Sequence, residues 1–210
     1  MLVCLFMVNR GIFKIQLIWM GLLAYLVYNY AFYLFGAAYN ALFLVYVLIF
    51  STAVFALIGG LSALPLRGIH FTKDSARWII AYLLLIAFIL CMVEIPPNLQ
   101  YLVTAQLPET IVLTQHPTAI VYALDLSLVV PLSVLASVWL WQKKSWGYVL
   151  AVMMLVKGAT YGLVLVSNSL LLKYRGTGED NLLPFYGFVM IGGLSGLWWL
   201  MKHIRLEKGQ

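Results

Sequence analysis

The sequence predicts an all-α, polytopic transmembrane helical bundle with six full spans, and three observations carry that prediction. Hydrophobic residues make up 64% of the 210 positions, charged residues only 10%, and mean hydropathy is +0.97. Six separate stretches reach the length of about 20 mostly apolar residues that a helix needs to cross a bilayer. The basic residues, finally, collect in alternate connections between those stretches. A soluble domain of this composition has no polar surface to cover its interior. A bilayer accepts apolar side chains outward and requires only that backbone groups be satisfied within the chain. One integral membrane domain over residues 1–210 is therefore expected.

The predicted spans run from Ile15 to Phe35, Ala41 to Leu64, Trp78 to Ile95, Thr118 to Trp141, Gly147 to Leu172 and Phe185 to Met201. Ahead of them, Met1 to Val8 is apolar but too short to cross, and it ends at Asn9, Arg10 and Gly11. A signal peptide carries its charge before the apolar run and a small-residue cleavage site after it, the reverse of this order. The expectation is the end of a truncated seventh helix or an interfacial anchor.

Lys and Arg in short loops are retained on the cytoplasmic side. One set of connections holds Arg10, Lys14, Arg67, Lys73, Arg77, Lys143, Lys144, Lys202, Arg205 and Lys208. The opposite set holds only Lys173 and Arg175, beside Glu179 and Asp180. This bias predicts a cell inner (plasma) membrane protein with a cytoplasmic C-terminus and residues 96–117 as an extracytoplasmic loop. That loop contains Tyr101, Leu102, Val103, Leu107, Ile111, Val112 and Leu113, too apolar for free solvent, so it is expected to lie along the interface or on helix ends. Pro108 followed by Glu109 suits the first turn of a short helix, and Pro117 is placed to open the fourth span.

Helices in lipid approach closely where small residues let backbones touch. Thr52, Ala56 and Gly60 recur every four residues in the second span, Gly158 and Gly162 in the fifth, Gly192 and Gly196 in the sixth. Packing within one bundle accounts for them better than a dimer interface does. In the first span, aromatic residues form an interfacial belt, and Tyr25, Asn29 and Tyr33 share one helical face as a polar seam. Such a seam turns toward protein, as packing or as the wall of a cavity.

Two ionisable residues stand inside spans: Asp125 in YALDLSLVV and Lys157 in LVKGATYGL. Each costs about 2.5 to 3.5 kcal/mol at a helix centre on the insertion scale. Antiparallel neighbouring helices would bring the two to similar depth, although their side chains lean in opposite directions along the bilayer normal. They are expected to form an intramembrane ion pair, either as structural glue or as part of a polar pathway. Glu94, Glu109 and His116, together with Asp125, form a possible outer polar cluster in a region without bases.

Several chemistries are excluded. The net charge of +6 is scattered rather than gathered into a nucleic-acid face. Cys4 and Cys91 lie in separate apolar runs, without redox or metal spacing. His70, His116 and His203 all fall outside spans, so a haem has no paired ligands. There is no H-E-x-x-H, P-loop or G-x-S-x-G. No cofactor, metal site or catalytic residue is expected, and an enzyme is the least supported class.

The stretch YALDLSLVVPLSVLASVWLWQKKSWGYVLAVMMLVKGATYG from Tyr122 to Gly162 resembles a group of uncharacterised prokaryotic multi-pass membrane proteins, as does YNYAFYLFGAAYNALFLVYV from Tyr28 to Val47. The resembling A-L-D-L, W-G-Y and V-K-G-A elements include Asp125 and Lys157. The resemblance implies a shared polytopic fold and a longer N-terminus; it brings no activity, substrate or cofactor. The functional expectation is a small transporter or permease component. The alternative is a non-transporting membrane subunit or assembly factor in which the Asp/Lys pair is structural. The expected partners are the lipid bilayer and a membrane-protein partner or second copy, and not nucleic acid.

Overall fold

The computed structural model describes residues 13–66, 69–71, 76–108, 111–112, 118–176, 178 and 180–206. Among these, six helices are long and apolar enough to cross a membrane: α1 (Phe13–Phe35), α2 (Phe43–Ser62), α3 (Arg77–Thr104), α4 (Ile120–Trp141), α5 (Ser145–Tyr174) and α6 (Leu183–His203). The all-helical bundle and the membrane-embedded class are as the composition predicts. Met1 to Val8 and Cys4 lie outside the described residues, and Cys91 is half-buried with a free thiol.

α5 forms the core. Every residue from Gly147 to Lys157 is buried, the condition of a helix apolar on all sides and surrounded by others. α1, α4 and α6 pack directly on it; α2 rests on α1, and α3 on α4. α2 is the peripheral element: only Ala53 is buried, while Leu44, Leu48 and Phe55 face outward. Outward apolar side chains of this kind belong to lipid.

Glycines set the closest approaches. A Cβ added at Gly162 would sit 2.8 Å from the Met190 nitrogen, and one at Gly193 would sit 2.8 Å from the Ala159 nitrogen and 2.9 Å from the Leu155 oxygen. The α5 and α6 backbones therefore touch at Gly162 and Gly193. Gly196 faces the Leu155 side chain, Gly192 faces the Tyr82 ring of α3, and Gly158 is looser, 3.7 Å from Val189. On α2, Gly60 meets Met20 of α1, but Thr52 is exposed and donates to the Leu48 and Ile49 carbonyls. The α2 seam passes through buried Ala53, which is where the expected four-residue register is off by one.

The third helix differs most from expectation. It runs through Pro96 and Pro97 to Thr104, so the loop expected to start at Pro96 starts at Ala105, whose φ of 54° ends the helix. Two prolines remove only the bonds to the Met92 and Val93 carbonyls, and neighbouring groups can re-satisfy a membrane helix at such a point. Asn98 Nδ2 donates to the Glu94 carbonyl at 2.6 Å. The extension is exposed, with Val103 at 87%. Beyond it, the Ile111 and Val112 amides both donate to the Pro108 carbonyl, the helical turn expected there. Pro117 lies outside the described residues.

A short antiparallel ribbon adds what composition does not reveal. β1 (Ile69–Phe71) pairs with β2 (Ile204–Leu206), Ile69 opposite Leu206 and Phe71 opposite Ile204. It joins the α2–α3 connection to the segment after α6. At the same end, Lys14 Nζ donates to the Met201 carbonyl, and Trp78 meets Trp199 edge to face at 6.1 Å. At the opposite end, Asp180 accepts from Ser169 Oγ at 2.6 Å and from the Leu182 amide at 2.9 Å, fixing the start of α6.

The two kinds of glycine on α6 make a direct test. Nothing lies within 4 Å of a Cβ placed on Gly187. Gly193→Ala is expected to lower stability by about 1 to 3 kcal/mol through overpacking against α5, while Gly187→Ala stays within about 0.5 kcal/mol. Thermal unfolding of the two variants side by side in one detergent measures both.

Candidate functional site

Asp125 owes its position to an irregular turn in α4. Residues Asp125–Val129 are wound as a π-helix, with the Val130 amide donating to the Asp125 carbonyl. Pro131 explains the extra residue in the turn: it has no amide for the Ser127 carbonyl, and its ring would press on that carbonyl in a regular helix. Widening the turn relieves the clash, and single π turns of this kind recur at functional sites. Lys157, by contrast, projects from an uninterrupted α5.

The two side chains meet inside the bundle. Lys157 Nζ lies 3.5 Å from Asp125 Oδ1, with Lys157 6% and Asp125 4% exposed. That separation is at the long end of hydrogen bonding, as suits two side chains leaning apart on antiparallel helices. Aromatic faces complete the seat. Lys157 Nζ is 3.9 Å from the Tyr28 ring centroid and 4.8 Å from that of Tyr161. The two rings themselves meet edge to face at 5.6 Å. Ring quadrupoles attract a cation by about 2 kcal/mol or more when the contact is desolvated.

Glu94 joins this pair from α3. It is 3% exposed, within interaction range of both Asp125 and Lys157, and its Oε2 atom has no hydrogen-bond partner. Three charged side chains from three helices thus converge, with Tyr28 supplied by a fourth. Glu94 was expected in an outer cluster with Glu109, His116 and Asp125; it does lie within interaction range of Asp125, buried beside the ion pair. Glu109 and His116 lie outside the described residues.

Two cavities adjoin the cluster. An inner pocket of about 80 Å³ is lined by Asp125 and Lys157 together with Tyr82, Ser133, Tyr161 and Tyr186. It is polar at one wall and roomy enough for water. A larger cavity of about 560 Å³, toward the end of the bundle away from the ribbon, is lined by Tyr28, Asn29, Tyr33, Thr118, Tyr161 and Asn168. Tyr161 and Leu165 belong to both. Tyr161 is therefore the partition between a broad cavity and the buried ion pair.

Of the expected polar seam, Asn29 and Tyr33 line the larger cavity, and Tyr33 also stacks on Tyr46 of α2 at 5.2 Å. Tyr25 is half-buried and not part of that wall. Tyr28 and Tyr161 were not singled out, although Tyr161 follows Lys157 by four residues and so shares its helical face. Among the described residues, no group of three His, Cys, Asp or Glu side chains could hold a metal ion. No protein-family model matches the chain, and no curated protein or solved structure does either.

The cluster makes a graded stability prediction. Asp125→Asn alone leaves Glu94 beside the ammonium and is expected to be mild. Glu94→Gln with Asp125→Asn removes both carboxylates and is expected to lower stability by about 3 to 5 kcal/mol, the cost of a buried charge without its partner. Adding Lys157→Met to that double variant removes the stranded charge and should recover most of the loss. Unfolding in detergent across the series checks the order.

Proposed function

We propose that the protein is a small transport protein of the plasma (inner) membrane, with its basic end and C-terminus cytoplasmic, in which solute or ions pass from the larger cavity past Tyr28 and Tyr161 to the Glu94, Asp125 and Lys157 cluster. One observation carries this reading: Tyr161 lines both the larger cavity and the pocket that reaches the ion pair. Ionisable groups at this depth are costly to insert and characteristically mark polar pathways. Neutral glue would have served packing more cheaply, since a buried ion pair is often replaceable by apolar side chains without loss.

The membrane-subunit reading takes its support from the α3 extension, where Leu102 and Val103 stand clear of the bundle as a surface for a partner. In that reading the charged cluster only fixes helix register.

The uncharged triple variant, Glu94→Gln with Asp125→Asn and Lys157→Met, separates the two. Wild-type and triple-variant protein are reconstituted into phospholipid vesicles, and permeation of potassium chloride, methylammonium chloride and urea is followed by light scattering after osmotic shock. Transport predicts faster entry of at least one probe with wild-type protein and background entry with a folded triple variant. Background entry for all three probes with wild-type protein, together with unchanged growth of cells carrying the triple variant, overturns it.

A further inference from the structure

The cluster contains two carboxyl groups and one ammonium. If both carboxyls are ionised, the cluster carries one uncompensated negative charge inside an apolar bundle, which the surrounding residues do not offset. The charged and titratable groups facing Glu94 are Asp125 from α4 and Lys157 from α5. Tyr28 of α1 and Tyr161 of α5 present their rings to the Lys157 ammonium, and Tyr186 of α6 lines the adjoining pocket. None of these tyrosines brings a positive charge. The missing charge must come from something that enters.

Two features say what enters. Glu94 Oε2 is buried without any donor, while the neighbouring charged group on its α4 side is another carboxyl. A carboxyl oxygen without a donor beside a second carboxyl is where a shared proton resides, because like charges so close do not both ionise. A metal ion needs a shell of several oxygens, and among the described residues no group of three His, Cys, Asp or Glu side chains could supply one. A proton needs no shell.

We propose that Glu94 and Asp125 form a binding site for one exchangeable proton, shared between the two carboxyls and balanced against Lys157. The site extends the pathway reading and rests on it for its role, which is to couple proton exchange to movement of a solute. On release, the carboxyl O–H bond breaks, the electron pair stays on the carboxylate oxygen, and the proton passes to solvent water in the larger cavity. Nothing is oxidised or reduced. The hydroxyls of Tyr28 and Tyr161 lie within interaction range of Asp125, and both residues line that cavity. They mark the route.

Charge balance makes the test specific. Infrared spectra of the protein in lipid nanodiscs detect a protonated carboxylic acid by its C=O stretch, independently of any transport assay. In wild-type protein the pair contributes one such acid, whose band shifts in D₂O. Glu94→Gln and Asp125→Asn should each abolish it, because one carboxylate then balances Lys157. Lys157→Met should instead about double it, since both carboxyls are then neutral without the ammonium. Each single variant keeps a balanced cluster and therefore folds. A wild-type band absent, unchanged by all three substitutions, or fixed in D₂O overturns the proposal. A band removed by sodium or potassium chloride at constant pH overturns it in favour of a metal-cation site. A correct band pattern with no transport in vesicles upholds the proton site and rejects the pathway reading alone.

Discussion

The Lys157 ammonium, 3.5 Å from Asp125 and held over the faces of Tyr28 and Tyr161, is the contact on which the arrangement of the bundle turns. An isolated ammonium in hydrocarbon is costly, which favours enclosing the helix that bears it among the others. α5 is that helix, buried without interruption from Gly147 to Lys157. α4 brings a carboxylate to the seat, α1 a ring, and α3, lying on α4, a second carboxyl. α2 brings nothing to the cluster and correspondingly lies at the periphery.

Packing and polarity are linked through the same stretch of α5. Gly158 and Gly162 lie one turn apart beside Lys157 and Tyr161 and help line the inner pocket. Gly162 lets the α6 backbone come against α5, while Gly158, which touches less, leaves room. A side chain at either position would fill space that the cluster uses. The small residues that draw the helices together are thus also the ones that keep a hollow next to the charges.

Much of the fold was legible because the bilayer imposes it. Span length and apolarity located all six helices, and Asp125 and Lys157 were conspicuous as charges within them. Three things were hidden, for definite reasons. The third helix passes two prolines because membrane helices can mend the lost bonds locally, so Pro96 was a misleading stop and Glu94 stood at the expected end of the span rather than inside it. The π turn at Asp125 depends on Pro131 six residues later, a relation that helical periodicity does not express. Tyr28 was indistinguishable from the belt of aromatics around it, since its distinction is the neighbour it faces on another helix. Single-sequence patterns report which face a residue occupies, not what stands opposite.

The ribbon between β1 and β2 has a mechanical side. Together with the Lys14 contact to the Met201 carbonyl and the Trp78–Trp199 contact, it laces the basic end across α1, α3 and α6. Sliding α3 past α6 would tear main-chain hydrogen bonds there, and sliding α1 would break the Lys14 side-chain bond to the Met201 carbonyl, whereas the far end has a broad hollow and a freestanding length of α3. The two mouths of the bundle are thus built differently, one tied by strand, side-chain and ring contacts, the other opening on the hollow beside the tyrosine partition.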